Sequence, residues 1–203
     1  MNLDDYFVLL IGVFFTILLI IVFTFALYKA HMTRSFKYSG KINIKNTIIM
    51  IISFGLIGIM ATNYFSLDFN DAHIQLRDLA VMIGGLIGGP IVGIGAGVIA
   101  GIERFLQGGS IALPCLIGTI LSGAIGGLIW YFAGKKFPKL WIAVVIMAIT
   151  EIINMLMITL ISNPISAGQE IFNHIAFIMV DFTTLGMLVF AYIYLKYIDT
   201  DKR

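Results

Sequence analysis

Six apolar stretches, each long enough to cross a bilayer, constrain this chain more than any other feature. A helix rises about 1.5 Å per residue, so roughly 20 residues span the ~30 Å of hydrocarbon. Charge-free runs extend over Phe7–Tyr28, Asn46–Leu67, Leu79–Ile102 and Phe105–Gly134. Leu140–Ile161 is interrupted only by Glu151, and Ile171–Leu195 only by His174 and Asp181. With 60% hydrophobic and 12% charged residues, the chain cannot wrap a water-soluble core. The expected fold is an all-α polytopic membrane protein, a bundle of five to six transmembrane helices. The first stretch reads as a retained span: its apolar run is too long for a signal peptide and is led by the acidic Asp4 and Asp5.

Charge distribution sets the topology. A net charge of +2 points neither to nucleic acid nor to an acidic partner. Basic residues gather between the first two stretches (Arg34, Lys37, Lys41, Lys45), after the fourth (Lys135, Lys136, Lys139) and at the end (Lys196, Lys202, Arg203). Short basic loops stay in the cytoplasm. Three crossings between the first two clusters would place them on opposite sides. The third stretch contains Gly88-Gly89-Pro90, and proline cannot continue a helical hydrogen-bond ladder. If that break makes a re-entrant hairpin, five full spans remain and eleven of the thirteen Lys and Arg residues lie inside. Arg77 and Arg104, flanking the hairpin, are the two left outside. The alternative keeps six through-going spans and a basic first loop outside.

The same break bears on a site. Arg77 and Arg104 are 27 positions apart, about 40 Å along an unbroken helix, whereas a hairpin would bring them to similar depth. Arginine presents a planar fork that binds a carboxylate through two parallel bonds and is costly to bury without an anion. The competing reading is that both neutralise Asp78, Glu103 or Glu151, or reach the membrane surface. Cys115, the sole cysteine, follows Pro114 and offers a weak donor or simply a small core residue. It excludes an intrachain disulfide and a cysteine-based zinc site. Glu151, Asp181 and His174 lie at membrane depth, where ionisable groups face the bundle interior. No catalytic constellation, metal motif or cofactor-binding loop is present in the sequence, so neither enzyme activity, metal nor cofactor is expected.

Glycines recur at every fourth position, Gly85, Gly89, Gly93, Gly97 and Gly101, and again as Gly118, Ser122 and Gly126. Such rows let helix backbones approach closely in lipid. Their context, LRDLAVMIGGLIGGPIVGIGAGVIAGIERFLQGGSIALPCLIGTILSGAIGG from Leu76 to Gly127, resembles the five-transmembrane receptor domain of the LytS-YhcK type. The resemblance rests on Arg77, the element Gly85-Leu86-Ile87-Gly88-Gly89-Pro90, Arg104 and the pair Gly108-Gly109. It continues weakly to about Leu195 through Glu151, Met155 and Gly186. It divides the chain into residues 1–40, a first helix with its basic loop, and 41–203, the receptor domain.

What the resemblance implies is a multi-pass sensor in a bacterial plasma membrane, acting in two-component signalling, with cell-wall organisation among the processes such systems serve. Its partners would be a small carboxylate, the lipid bilayer, a cytoplasmic histidine kinase or diguanylate cyclase output, and a second copy in a homodimer. In the pyruvate-sensing branch the matching ligand residues are Arg77, Arg104 and Cys115. Gly118 replaces a serine, Gln75 an asparagine, and Ile178 and Thr183 a proline and an asparagine. Gln75, Gly88, Gly89, Pro90, Gly108, Gly109 and Glu151 are the expected supporting residues. The chain ends eight residues after its last apolar stretch, which reads as a sensor without its output domain. The runner-up is a substrate-binding subunit of a vitamin or small-solute importer, and a third reading is a purely structural membrane partner.

Overall fold

The computed structural model describes residues 3–29, 44–63, 67–69, 72–74 and 76–198. They form α1 (Leu3–Lys29), α2 (Ile44–Asn63), a two-stranded antiparallel ribbon of β1 (Leu67–Phe69) and β2 (Ala72–Ile74), α3 (Arg77–Gly88), α4 (Pro90–Leu106), α5 (Ala112–Phe132), α6 (Leu140–Ile161) and α7 (Ile165–Ile193). A π-helical turn over Tyr194–Ile198 continues α7. Outside the short ribbon, the described residues build an all-helical bundle. The four helices α2, α5, α6 and α7 are long and apolar enough to cross a membrane, and α1 carries the apolar segment Phe14–Ala26.

The third apolar stretch is two helices. Gly89 adopts φ +83°, a backbone conformation that side-chain-bearing residues rarely occupy. Pro90 then opens α4 at its first position, where a missing N–H costs nothing. The chain reverses there. A Cβ on Gly93 would lie 2.9 Å from the Cα of Gly85, although eight residues of continuous helix would hold the two about 12 Å apart. At 12 residues, α3 is about 18 Å long and cannot cross the hydrocarbon alone. The segment is therefore re-entrant, and the reading with six through-going spans is set aside.

The glycine row makes this hairpin possible. A Cβ on Gly85 would sit 2.5 Å from the carbonyl oxygen of Gly123 and 2.6 Å from the nitrogen of Gly127. On Gly97 it would meet the backbone of Thr119 and Ile120 at 2.9 Å. Both arms thus lie with backbone touching backbone in the groove of α5. In lipid no hydrophobic effect draws helices together, and such close dispersion contact replaces it. Every residue of α3 is buried, enclosed by α2, α4, α5 and, at its flanks, α6 and α7. Phe54, Met82, Ile83, Leu86 and Phe190 fill this centre. Outward faces carry large apolar side chains such as Leu160 and Phe177, as a lipid-solvated surface requires.

The reversal also sorts the charges. The hairpin tip packs on Trp130 near the end of α5 and on Met50 near the start of α2. Lys45, beginning α2, and Lys135, Lys136 and Lys139, following α5, therefore share one end of the bundle. Phe137 packs on Tyr194 with ring centroids 4.6 Å apart, which brings Lys196 to that end too. Arg77 and Arg104 lie toward the opposite end. Arg34, Lys37, Lys41, Lys202 and Arg203 fall outside the described residues.

Candidate functional site

At the end opposite the basic residues, α3, α5 and α6 carry a polar network inside the bundle. Arg77, the first residue of α3, donates from Nε to Thr119 Oγ1 at 2.7 Å. Thr119 in turn donates to Asp78 Oδ1 at 2.7 Å, and Nε lies 3.7 Å from the same carboxylate oxygen. Asn154 Nδ2 donates to Asp78 Oδ2 at 3.2 Å and to Ser122 Oγ at 2.9 Å. Ser122 Oγ in turn donates to the Gly118 carbonyl at 2.9 Å. All six residues are buried. A buried charge is tolerated when an opposite charge and hydrogen bonds satisfy it, and Asp78 with Thr119 does so for Arg77.

Arg104, near the end of α4, is held differently. It is 1% exposed, and Nη1 donates to the Gly108 carbonyl at 2.8 Å. Nε and Nη2, the two nitrogens of one guanidinium edge, are buried without a hydrogen-bond partner. That edge is the geometry that accepts a carboxylate through two parallel bonds. Gly108 and Gly109, at φ +79° and +93°, shape the turn that presents the carbonyl. Beside it, Asn63 Nδ2 and Gln107 Nε2 both donate to Glu103 Oε1, at 3.0 and 2.7 Å, which ties α2 to the mouth of the hairpin.

A cavity opens between α3, α5, α6 and α7, mostly apolar with a few convergent polar groups, as small-molecule sites are. Arg77, Asp78, Cys115, Gly118 and Asn154 form its polar side, and Met155, Ile158, Ile171 and Met179 face them from α6 and α7. Cys115 joins the two arginines: its thiol lies within electrostatic reach of both guanidinium groups. The turns at this end are tied together by a hydrogen bond from Asn163 N to Ser110 O at 3.2 Å.

The structure thus brings Arg77, Arg104 and Cys115 to one end of the bundle, with Gly108 and Gly109 supporting Arg104. Gly88, Gly89 and Pro90 form the hairpin tip beside Trp130, about 18 Å along α5 from Gly118. Their part is to turn the chain. Glu151 is wholly buried next to the network, and neither carboxyl oxygen has a hydrogen-bond partner. His174 and Asp181 are exposed on the outer face of α7, so the expectation that both face the interior is corrected; His174 Nδ1 meets the Glu170 carbonyl at 2.8 Å. Gln75 lies outside the described residues. Sequence reasoning missed Thr119, Ser122 and Asn154. Asn154 had a legible signal, as an amide one turn from Glu151 on the same face of an otherwise apolar span.

A multi-pass helical bundle with a re-entrant hairpin and a buried arginine-bearing cavity defines a class, the polytopic membrane protein with a polar site inside its bundle. The family model described as 5TMR of 5TMR-LYT matches residues 30–197, and the chain belongs to that family. It is 31% identical over 167 residues to the sensor histidine kinase BtsS of Escherichia coli K12, covering 80% of this chain and 29% of that one. With the sensor protein LytS of Bacillus subtilis 168 it shares 35% identity over 128 residues, 62% of this chain and 22% of the other. With the sensor histidine kinase/phosphatase LytS of Staphylococcus aureus Mu50 it shares 31% over 142 residues, 69% and 24%. The chain spans less than a third of the length of these relatives. No solved structure matches it. The chain is a multi-pass sensor domain of a bacterial plasma membrane, and the kinase portion of its relatives is not in these 203 residues.

Proposed function

We propose that the domain is a receptor for a small, pyruvate-like carboxylate and passes its occupancy to a cytoplasmic histidine kinase or diguanylate cyclase output. The observation that carries this reading is the Nε–Nη2 edge of Arg104, buried without a hydrogen-bond partner and within electrostatic reach of Cys115, which lines the cavity. A guanidinium edge desolvated in this way without an acceptor is poised for an anion, because leaving charged donors unpaired is costly. The basic end of the bundle, by the positive-inside bias, faces the cytoplasm and leaves the cavity toward the outside. Ligand binding would bias two arrangements of the bundle only through different affinity for each. Contacts from α3, α5, α6 and α7 around one cavity offer that difference, and α7 leads to the cytoplasmic end.

The test is calorimetric titration of the purified protein with pyruvate and with the neutral pyruvamide. Pyruvate should bind and pyruvamide should not. Arg104→Lys keeps the charge and loses the fork; at about 1.5–3 kcal/mol for a charge-assisted bond, affinity should fall roughly tenfold to a hundredfold, with melting unchanged. Equal affinity for the acid and the amide, or wild-type affinity in Arg104→Lys, defeats the proposal.

A further inference from the structure

Asn154 is 4% exposed and lines the cavity. Both of its amide protons are engaged, one by Asp78 Oδ2 and one by Ser122 Oγ. This fixes which way the amide faces: a flip would set Oδ1 against the Asp78 carboxylate and abolish the ion-dipole contact that holds the network. The oxygen is consequently turned away from Asp78. It has no hydrogen-bond partner, and a Cβ on Gly118 of α5 would stand 2.9 Å from it. Gly118 also lines the cavity. With glycine there, no side chain of that position caps the acceptor, which is left without a partner inside the protein on a residue that lines the cavity.

From this arrangement we infer that the ligand carries a hydrogen-bond donor next to its carboxylate, and that it is a 2-hydroxy acid. The inference rests on the carboxylate-receptor reading and adds the group beside the carboxylate. A 2-oxo acid offers Asn154 Oδ1 only another acceptor, and two lone pairs face to face leave both unsatisfied. A hydroxyl donates to it. An ammonium group is disfavoured, because Arg77 lies on the same wall and both oxygens of Asp78 are already taken by Thr119 and Asn154. The facing apolar wall of Met155, Ile158 and Met179 receives the carbon end of the molecule.

The experiment titrates the intact protein calorimetrically with both lactate enantiomers, lactamide, pyruvate and L-alanine. The better lactate enantiomer should bind at least about tenfold more tightly than pyruvate, since an unmatched buried acceptor costs on the order of 1.4 kcal/mol or more. Pyruvate binding equal to or tighter than lactate, or alanine tighter than both, overturns the inference and leaves a carboxylate receptor standing. No binding of any of these acids, or equal binding of lactate and lactamide, overturns both readings. Asn154→Leu releases Asp78 and risks the fold, so the decisive variant is Gly118→Ser. Its hydroxyl can donate to Oδ1, with the amide end moving by a few tenths of an ångström. The lactate preference should then shrink to within about threefold, while an unchanged preference would show that Asn154 Oδ1 does not face the ligand.

Discussion

Replacing Gly85 with alanine tests the hairpin where its first arm meets α5. The new methyl would stand 2.5 Å from Gly123 O, 2.6 Å from Gly127 N and 3.0 Å from Gly126 C. All three are backbone atoms of one helix, so no side chain can rotate aside. Restoring ordinary contact at about 3.4 Å requires α3 and α5 to part by nearly 1 Å, and the dispersion energy of the seam falls steeply with such gaps. Overpacking of this kind costs about 1–3 kcal/mol, and rigid backbone on both sides puts Gly85 at the upper end. The intrinsic gain of alanine over glycine in a helix, about 1 kcal/mol, offsets part of it. Gly95→Ala supplies the control, because the atoms nearest its methyl all belong to the side chain of Ile51, at 2.9 Å, which can turn toward lipid. In thermal unfolding in detergent, a net loss of about 2 kcal/mol corresponds to a drop of roughly 4–8 °C for a chain of this length. Gly95→Ala should melt within about 2 °C of wild type. Equal melting of Gly85→Ala and wild type would refute the backbone-on-backbone seam.

Two further outcomes follow from the charges. Asp78→Asn removes the anion that Arg77 and the hydroxyl of Thr119 face, and breaking a buried pair on one side costs about 3–5 kcal/mol; Glu151→Gln removes a carboxyl with no hydrogen bonds and should cost less than about 1 kcal/mol. Chemical denaturation of the two variants reads the difference, and equal losses would contradict the assigned partners. In a Cys115→Ala background, Lys45→Cys and Lys136→Cys should resist an impermeant external thiol reagent while Ser166→Cys, in the first turn of α7, is labelled. External labelling of Lys45→Cys would invert the orientation.

The spans were legible in the sequence because lipid imposes a length and an exclusion of charge that few other environments demand. The hairpin was legible because Gly89-Pro90 stands in the middle of an apolar stretch flanked by the two arginines outside the basic clusters. What the sequence left open was the choice between an anion site and internal neutralisation for those arginines; the structure pairs Arg77 inside the bundle and leaves one edge of Arg104 without a hydrogen-bond partner. Arg77 is joined to its sequence neighbour Asp78 through Thr119, 41 and 42 positions away, a pairing that only the fold creates. Asn154, 76 positions from Asp78, was hidden for the same reason. His174 and Asp181 misled because mean depth along a helix does not say which way a side chain faces; that depends on which stripe of α7 meets α6, and both fall off it.

The placement of the reversal explains why the two arginines differ. Arg77 lies 12 residues before Gly89 and Arg104 lies 15 after it, so the arms measure about 18 and 22 Å from the tip. Arg104 therefore stands some 4–5 Å farther from the tip. The cost of a charge rises toward the middle of the bilayer, and the deeper arginine is the one with an internal carboxylate and a hydroxyl against it. The shallower one keeps a guanidinium edge without a hydrogen-bond partner. Had the break fallen two residues earlier, at Ile87, the offset would grow to about 10 Å and Cys115 would no longer lie within reach of both. A single glycine with positive φ thus sets the bundle's charge asymmetry and the spacing of its candidate site.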